Sequence, residues 1–449
     1  MSAPLLPLLP DAPDHAIVAI RHGRPVNRAD FLARVAALAA SLPEGRPVLN
    51  LCNDRYAFAL GLLAAISRGV PSLLPNATAP ENIAALHADW PALICLADTA
   101  EAPFGLPWLR VDPDALAPGN PAALPMIPAG QLVACVFTSG STGKPQAHRK
   151  HFGRLCANAH AAATRLWQST GGPCAVLGTV PFQHMYGLES TVLLPLFGGG
   201  ILCSERPFYP ADVTAALNTL PAPRLLVSTP FHLRALLDAQ IALPPLAAVV
   251  SATAPLSAEL ASAAEARLAA PMLEIYGATE TGQIALRAPT QDPDWQLLDG
   301  VQLDQDGDNT FASGGHVEAR LMLGDVIELL PQRRFRLLGR HADMINIAGK
   351  RSSLAFLNHV LSRLPGVRDG VFCLPREDGA NGEPQRLAAF VVAPGLDARA
   401  IRTALRPHLD AVFLPRPIVL LDALPRNATG KLTAAALAQL IATHLPGYR

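Results

Sequence analysis

The stretch Phe137–Pro145, with the sequence FTSGSTGKP, follows an apolar run, Leu132–Val136, that predicts a buried strand. Gly140 and Gly143 allow the backbone to turn tightly after this strand, and Lys144 adds a positive charge. Hydroxyl groups beside the free N–H groups of such a turn suit phosphate oxygens, and they are supplied by Thr138, Ser139, Ser141 and Thr142. The stretch therefore predicts a phosphate-binding loop. The alternative is an ordinary surface turn rich in Ser, Thr and Gly.

This loop does not have the spacing of the P-loop found in NTPases. A P-loop has the pattern GxxxxGK followed by Ser or Thr. Here only Ser141 and Thr142 separate the glycines, and Pro145 follows the Lys. The loop therefore belongs to another kind of phosphate site.

The composition is that of a globular chain with balanced charge. Half of the 449 residues are hydrophobic, and Lys plus Arg equals Asp plus Glu at 36 each. This length suggests roughly two to four domains. A net charge of zero argues against a nucleic-acid binder, which shows a basic excess.

Neither the cysteines nor the first residues indicate an exported protein. The seven cysteines form no CxxC pair and do not cluster with His, which favours buried thiols in a reducing compartment over disulfides or a zinc site. The N-terminal stretch lacks a basic region and is interrupted by Pro7 and Pro10, which is atypical of a signal peptide. The longest apolar run, Thr191–Cys203, falls short of the ~20 residues of a membrane-spanning helix. We therefore expect a soluble, cytoplasmic protein.

Apolar periodicity predicts alternating helices and strands, which favours an α/β fold with a parallel sheet. Helices are predicted at Phe31–Ser41 and Phe58–Ser67. Strands are predicted at Arg46–Cys52, Ser72–Leu74, Ala92–Leu96, Leu132–Thr138, Ala175–Thr179, Arg224–Ser228, Ala247–Val250 and Met272–Tyr276.

The composition changes near Gly339-Arg340, where we place a domain boundary. Ser352-Ser353 supplies an N-cap for a helix that ends at Pro365-Gly366. Beyond it the pattern predicts strands at 367–374, 387–392 and 418–421 and a helix at 397–409. Residues 341–449 are therefore predicted to form a small α+β domain, separate from a large α/β domain at residues 1–340.

Four further stretches carry groups suited to nucleotide and acid chemistry. They are Pro181–Gly187 (PFQHMYG), Tyr276–Gly282 (YGATETG) with Ser251–Pro255 (SATAP) upstream, the pairs Gly324-Asp325 and Gly339-Arg340, and Pro425–Leu432 (PRNATGKL). Taken alone, His184 could be a structural histidine beneath a loop, Asp325 a strand-end residue and Lys431 a solvated surface lysine. Together with the loop, and in this order, they resemble the signature of the adenylate-forming ligases, which include acyl- and aryl-CoA synthetases, peptide-synthetase adenylation domains and luciferases.

The resemblance implies a large N-terminal domain that binds ATP and Mg²⁺ and a small, mobile C-terminal lid. Thr279 then contacts the α-phosphate, Glu280 helps to hold Mg²⁺, and Lys431 reaches the active site from the lid. Asp325 accepts hydrogen bonds from the ribose hydroxyls. Besides the loop at 138–144, the implied nucleotide site comprises Thr253, Ala254, Pro255, Tyr276 (against adenine), Gly277, Asp325 and Arg340.

The resemblance also implies an acid pocket, in which His184 lies near the substrate carboxylate. The pocket residues it implies are Phe182, His184, Met185, Tyr186, Ser251 and Ala252. Amino-acid adenylation domains pair an Asp with the substrate ammonium, whereas this stretch offers only Glu189, further along the helix. In ligases that load hydroxybenzoates an Asn beside the His binds a 2-hydroxyl, whereas Met185 cannot donate a hydrogen bond. We therefore expect an aryl acid without a 2-hydroxyl, such as 3- or 4-hydroxybenzoate.

Chain length and the Ala/Pro-rich composition are similar to those of compact ligases in xanthomonadin-type aryl polyene pigment pathways, which prime an acyl carrier protein with hydroxybenzoate. The thiol acceptor is then an acyl carrier protein or CoA. Two alternatives stay open: a medium-chain fatty acyl-CoA ligase, and a degenerate nucleotide-binding protein without activity.

Several positions depart from the family pattern, among them Gln146 and Ala434, each of which replaces a common basic residue. Ala252 and Thr253 replace two glycines of a turn beside adenine, which predicts a bulkier pocket wall. Ala342 stands where the family commonly has the Asp of the hinge, with Asp343 next to it.

Overall fold

The computed structural model describes residues 4–75, 77–116, 124–139, 145–307, 309–340, 344–347, 350–375, 386–426 and 432–446. The chain divides into two compact units. The first consists of Met1–Ala252, Ser262–Gln302 and Ala312–Leu321, and the second of Thr253–Ala261, Leu303–Phe311 and Met322–Arg449. The single division that the sequence places at residue 340 stays a prediction.

The helices and strands have the following bounds, each set given in chain order. The helices are α1 (Arg28–Ser41), α2 (Arg55–Ser67), α3 (Pro80–Asp89), α4 (Phe152–Thr170), α5 (Met185–Leu188), a π-helical segment (Glu189–Leu193), α6 (Leu194–Gly198), α7 (Pro210–Asn218), α8 (Pro230–Asp238), α9 (Ala258–Leu268), α10 (Leu354–Ser362), α11 (Ala398–Leu405) and α12 (Ala434–His444). The strands are β1 (Leu5–Pro7), β2 (Ile17–Arg21), β3 (Arg24–Asn27), β4 (Val48–Asn50), β5 (Ser72–Leu74), β6 (Ile94–Ala97), β7 (Trp108–Arg110), β8 (Met126–Pro128), β9 (Leu132–Ser139), β10 (Pro145–His151), β11 (Ala175–Gly178), β12 (Ile201–Cys203), β13 (Arg224–Ser228), β14 (Ala248–Ser251), β15 (Met272–Ala278), β16 (Gly282–Arg287), β17 (Trp295–Leu297), β18 (Val301–Asp306), β19 (Asn309–Gly314), β20 (Leu321–Met322), β21 (Asp325–Leu330), β22 (Arg334–Arg340), β23 (Met344–Ile347), β24 (Lys350–Ser353), β25 (Asp369–Cys373), β26 (Ala388–Val392) and β27 (Ile418–Leu420). Across the described ranges, no helix has both the length and the apolar character needed to cross a membrane.

The first unit contains two sheets that are mostly parallel, which confirms the predicted α/β class. One has the strand order β10-β9-β5-β4-β6-β7, with only the β9–β10 pair antiparallel. The other sheet contains a run of parallel strands in the order β15-β14-β13-β11-β12-β2. On the far side of β15, this sheet continues with the antiparallel strands β16 and β17. In sheets of this kind ligands bind at the carboxyl ends of the parallel strands.

Helices α1 and α2 show how the sequence fixes this unit. The Asn27 side chain accepts a hydrogen bond from the Asp30 N–H at the start of α1, and Asp54 accepts one from Ala57 at the start of α2. Helix α2 is apolar around nearly its whole circumference and is buried along its length, as expected for a helix within a core. Each large apolar side chain buried in this way contributes roughly 1.5–3 kcal/mol.

The second unit contains the predicted helix after Ser353. The Ser353 hydroxyl accepts a hydrogen bond from the Phe356 N–H at 3.1 Å, so the predicted N-cap of α10 is confirmed. Strands β25, β26 and β27 form a small sheet beside α10 and α11. The helix predicted at 397–409 ends earlier, at Leu405, because Pro407 has no backbone N–H with which to continue the helical hydrogen bonds.

Candidate active site

The phosphate-loop stretch lies at the end of an antiparallel hairpin. Ser139, the last residue of β9, lies opposite Pro145, the first residue of β10, so the two ends of the loop are held side by side. The Thr138 hydroxyl is 2.9 Å from Nε2 of His148 across the hairpin. Residues Gly140–Lys144 are outside the described ranges, and their phosphate contacts stay a prediction.

The stretch Tyr276–Gly282 forms a tight turn between β15 and β16, in which Ala278 pairs with Gly282. The Thr281 hydroxyl accepts a hydrogen bond from the Ala278 N–H and donates one to the Gly282 carbonyl, which closes the turn. Thr279 and Glu280 occupy its tip, where the Glu280 side chain is 46 % exposed. The two predicted phosphate and metal contacts therefore project from a fixed turn. The ring of Tyr276 packs on Trp295, with 5.5 Å between ring centroids.

The β9–β10 hairpin and the turn at Tyr276–Gly282 are in contact, although they lie about 130 residues apart in the sequence. Nε2 of His148 lies 3.6 Å from a carboxylate oxygen of Glu280, which links Thr138, His148 and Glu280 in one row. Burial lowers the pKa of His148, and the Glu280 carboxylate opposes this shift. Nζ of Lys150 donates a hydrogen bond to the backbone carbonyl of Glu280 at 3.0 Å.

Lys150 is the functional candidate that the sequence did not reveal. It is only 3 % exposed, although it lies on a strand of otherwise polar sequence. Burial lowers its pKa, and the carboxylates of Glu189, Glu318 and Glu280 raise it. We call Lys150 and these three acidic residues the lysine cluster.

The carboxyl group of Glu189 is buried within this cluster. Burial raises its pKa to about 8, against the opposing effects of Lys150 and of a hydrogen bond from the Gln283 backbone. A Cβ atom at position 282 would lie 2.5 Å from Oε1 of Glu189, and Gly282 has a φ of 73°, so only glycine fits there. The side chain of Glu189 therefore faces the turn that carries Glu280.

The stretch Pro181–Gly187 leads into α5 with His184 as its N-cap residue, half-buried. Phe182 is fully buried: its ring lies 4.9 Å from that of Phe58 and 5.3 Å from the guanidinium of Arg55. As placed, Phe182 supports this stretch from behind, and its contact with an acid stays a prediction. Met185 is also buried.

Two features fix this stretch on the sheet. The Tyr186 hydroxyl donates to the carbonyl of Ser228 at 3.0 Å and approaches that of Val250 at 3.3 Å. A Cβ atom at Gly187 would lie 2.0 Å from the Pro181 carbonyl oxygen, which explains why the motif ends in glycine. The predicted acid-binding residues are thereby held at the carboxyl ends of β13 and β14.

Burial and backbone conformation change along the stretch Ser251–Pro255 (SATAP). Ser251 ends β14 and is buried, as is Ala252. Thr253 has a φ of 76°, a region that suits glycine and strains a β-branched residue by roughly 1–3 kcal/mol. Ala254 is half-buried and Pro255 exposed. The departure from glycine at Thr253 thus stores strain at a position that the sequence assigns to the adenine site.

In the second unit, the two predicted ribose residues are partners across a hairpin. Asp325 begins β21 and pairs directly with Arg340 at the end of β22. Asp325 is half-buried. Lys431, Ala342 and Asp343 are outside the described residues, so the roles of the lid lysine and the hinge stay predictions.

Comparison with sequence families and characterised proteins gives consistent matches. Residues 11–304 match the family model described as AMP-binding enzyme. The chain is 33 % identical over 303 residues to 4-coumarate–CoA ligase from Halorhodospira halophila, covering 66 % of this chain and 73 % of that enzyme. It is 27 % identical over 379 residues to 4-chlorobenzoate–CoA ligase from an Arthrobacter species, covering 75 % and 70 %.

Solved structures share the whole architecture at lower identity. ATP-bound MatB from Rhodopseudomonas palustris matches with a TM-score of 0.81 and 19 % identity, over 96 % of this chain and 97 % of that one. The o-succinylbenzoate–CoA synthetase MenE from Bacillus subtilis, in complex with its acyl-adenylate, matches with a TM-score of 0.78 and 20 % identity, over 94 % and 95 %. At this level of identity the likeness shows the fold.

Proposed function

The chain belongs to the family of AMP-binding enzymes, the adenylate-forming acid–thiol ligases, and from this premise we propose that it activates an aryl acid with ATP and transfers the acyl group to a thiol. The observation that carries the proposal is the meeting of the two phosphate motifs. Thr138, His148 and Glu280 form one row at the end of the β9–β10 hairpin, and Lys150 fixes the backbone of Glu280 beneath it.

The proposed reaction has two steps. The substrate carboxylate attacks the α-phosphate of ATP, which forms an acyl-adenylate and expels pyrophosphate. A thiol then attacks the acyl carbon, AMP leaves, and the thiol proton is released. The acid is already ionised at pH 7, so the first step needs no general base.

Because two anions react, the protein must supply cations and oriented donors. The loop at 138–144 and Thr279 are assigned to the phosphates, and Lys431 to the charge that develops between carboxylate and α-phosphate. Asp325 and Arg340 are assigned to the ribose, and Tyr276 to the adenine. His184 is assigned to the acid carboxylate.

The residues at the turn fit Mg²⁺. Glu280 offers an exposed carboxylate on a fixed backbone, and Mg²⁺ is held by one or two carboxylates together with substrate phosphates. No group of three or more His, Cys, Asp or Glu side chains suited to a metal occurs in the described part of the chain. When bound, Mg²⁺ neutralises phosphate charge.

Glu189 supports a simple carboxylic acid over an amino acid. Its carboxyl faces Lys150 and the backbone at Gly282 and Gln283, so it is not placed to pair with a substrate ammonium. Met185 cannot donate to a 2-hydroxyl. Together with likeness to enzymes named for 4-coumarate and 4-chlorobenzoate, these residues favour an aryl acid such as 3- or 4-hydroxybenzoate.

The acceptor is proposed to be an acyl carrier protein or CoA. The relatives named as CoA ligases favour CoA, whereas shorter matches to peptide synthetases such as tyrocidine synthase 3 of Brevibacillus parabrevis are consistent with a carrier protein. Parallel assays with CoA and with a phosphopantetheinylated carrier protein distinguish the two.

ATP–pyrophosphate exchange with a panel of acids tests the proposal. We expect exchange with hydroxybenzoates and little with medium-chain fatty acids or amino acids. Exchange with fatty acids alone would assign the enzyme to the fatty acyl-CoA ligases. Exchange with no acid, together with measurable ATP binding, would indicate a degenerate nucleotide-binding protein.

A further inference from the structure

A second group of buried polar side chains lies at the carboxyl ends of three neighbouring parallel strands. Thr179 follows β11, Ser228 ends β13 and Ser251 ends β14, and all three are buried. Ser228 and Ser251 are in register, and the hydroxyls of Thr179 and Ser228 are 3.1 Å apart. This edge of a parallel sheet is where α/β proteins bind their ligands.

His232 completes this group from the first turn of α8. Its Nδ1 lies 3.0 Å from the hydroxyl of Thr179 and 3.4 Å from that of Thr229, the N-cap residue. Burial lowers the pKa of His232, so the ring is neutral at pH 7. We call Thr179, Ser228, Ser251 and His232 the histidine cluster.

One ring nitrogen of this histidine is unused. His232 is 4 % exposed, and its Nε2 has no hydrogen-bond partner among the described residues. A buried nitrogen of this kind costs free energy unless a partner satisfies it, and such groups are uncommon in folded proteins. A ligand atom would remove the cost.

The surroundings of His232 suit an aromatic ligand. The rings of Phe208 and Phe231 contact the imidazole, with centroids 5.1 and 5.5 Å away. These two phenylalanines are nevertheless 49 % and 46 % exposed. Apolar rings around one oriented polar atom are typical of small-molecule sites.

The histidine cluster is connected to the stretch that carries His184. Tyr186, two residues after His184, donates its hydroxyl to the carbonyl of Ser228, within the cluster. The strand ends that carry the histidine cluster therefore lie beside the stretch to which the acid is assigned.

We propose that Nε2 of His232 hydrogen-bonds the ring hydroxyl of the aryl acid, an inference that rests on the proposed function. A phenol both donates and accepts, so it pairs with either neutral tautomer of the imidazole. Phe208 and Phe231 contact the ring. An acid without the hydroxyl leaves Nε2 unpaired, and the enzyme selects against it for this reason.

The test compares benzoate with 3- and 4-hydroxybenzoate in pyrophosphate exchange. The wild-type protein should prefer one hydroxybenzoate over benzoate by about 10- to 100-fold in kcat/KM. His232→Phe should lower kcat/KM for the preferred hydroxybenzoate about 10- to 100-fold more than for benzoate, and so lose this preference. His232→Gln, which keeps a hydrogen-bonding group and is the milder change to the core, should retain part of the preference.

His160→Phe, at an exposed histidine of α4, is the matched control and should keep the full preference. An unchanged preference in both His232 variants would overturn the inference. An equal loss for benzoate and hydroxybenzoate would also overturn it, because a structural role alone predicts that result. If the wild-type protein exchanges with fatty acids and with no aryl acid, the proposed aryl substrate fails and the inference fails with it.

Discussion

The histidine cluster is buried throughout and the lysine cluster is buried at Lys150 and Glu189, and the stretch from Pro181 to Glu189 contributes to or contacts each of them. They differ in charge. In the lysine cluster, Lys150 faces three carboxyl groups and donates to the backbone of Glu280. The histidine cluster consists of hydroxyls and a neutral imidazole, with Nε2 of His232 and Oγ of Ser251 lacking partners in the described chain.

This difference in charge indicates that the two clusters have different roles. A buried lysine that donates to a backbone carbonyl holds that backbone in one place, because a hydrogen bond from a charged group is costly to break. Neutral polar groups are cheaper to leave open, and an open group can select a ligand. We therefore infer that the lysine cluster fixes the phosphate turn and that the histidine cluster contributes to the choice of acid.

The largest effect is expected where the lysine cluster reaches the surface. Glu280→Gln should lower the exchange rate by about 10²–10³-fold, because it removes a charged group at the phosphates. The side chain is exposed, so the free energy of unfolding should change by only about 0.5 kcal/mol. Exchange kinetics and chemical denaturation check both, with Glu81→Gln on α3 as the control. Wild-type exchange in the Glu280 variant would contradict the metal assignment.

Lys150→Met should affect both stability and nucleotide use. It removes a buried hydrogen bond to the Glu280 carbonyl and leaves that carbonyl without its donor, so the free energy of unfolding should fall by about 1–3 kcal/mol. It also frees the Glu280 backbone, so the KM for MgATP should rise about tenfold, the value of one charged hydrogen bond.

Two further variants sharpen this test. Arg149→Met changes the exposed neighbour on the same strand and should leave both quantities near wild type. Lys150→Arg keeps the charge and should recover part of the KM. A loss of stability with an unchanged KM would show that Lys150 does not position the turn.

Glu189 gives the lysine cluster a predicted pH dependence. Its pKa is raised from 4.5 to about 8 on folding, so its contribution to stability is present below pH 4.5 and declines as the pH rises toward 8. Glu189→Gln removes this decline. The melting temperature of the variant minus that of wild type should therefore increase as the pH rises from about 5 to 8.5. His316, whose pKa burial lowers to about 4, titrates in both proteins and cancels in the comparison. A constant difference across this range would contradict the assignment.

The smallest effect is expected at the two serines of the histidine cluster, Ser228 and Ser251. Ser228→Ala removes a hydrogen bond to Thr179 and should cost about 0.5–1.5 kcal/mol. Ser251→Ala removes a hydroxyl without a partner in the described chain, so the free energy of unfolding should stay the same or rise slightly. Urea denaturation of the two variants measures the difference. A larger loss for Ser251→Ala would show that its hydroxyl has a partner after all.

Much of the fold could be predicted because the apolar pattern of the sequence agrees with the burial of these residues in the structure. Strands β5 and β13 begin and end where the apolar runs do, and Ser353 caps α10 as expected. The antiparallel strands between Gly282 and Arg340 were not predicted, because their burial is irregular and depends on pairing between distant segments. Helix α12 was also missed.

The candidate site was predictable only as far as motifs extend. The order of motifs predicts roles for Thr279, Glu280 and Asp325, which stay predictions, whereas nothing in the sequence PQAHRKH marks Lys150 as buried. Its burial arises from contacts with Glu280 and the acidic residues at 189 and 318, far away in sequence. His232 likewise lies on an ordinary amphipathic helix, and only the tertiary structure shows that one of its nitrogens lacks a partner.

Formation of an acyl-adenylate is the claim on which these assignments depend, and isotope transfer tests it directly. Hydroxybenzoate labelled with oxygen-18 in its carboxylate is converted to the thioester, and the products are analysed by mass spectrometry. Attack of the carboxylate on the α-phosphate predicts one labelled oxygen in AMP and none in pyrophosphate. Unlabelled AMP, or label in ADP or inorganic phosphate, would contradict the account.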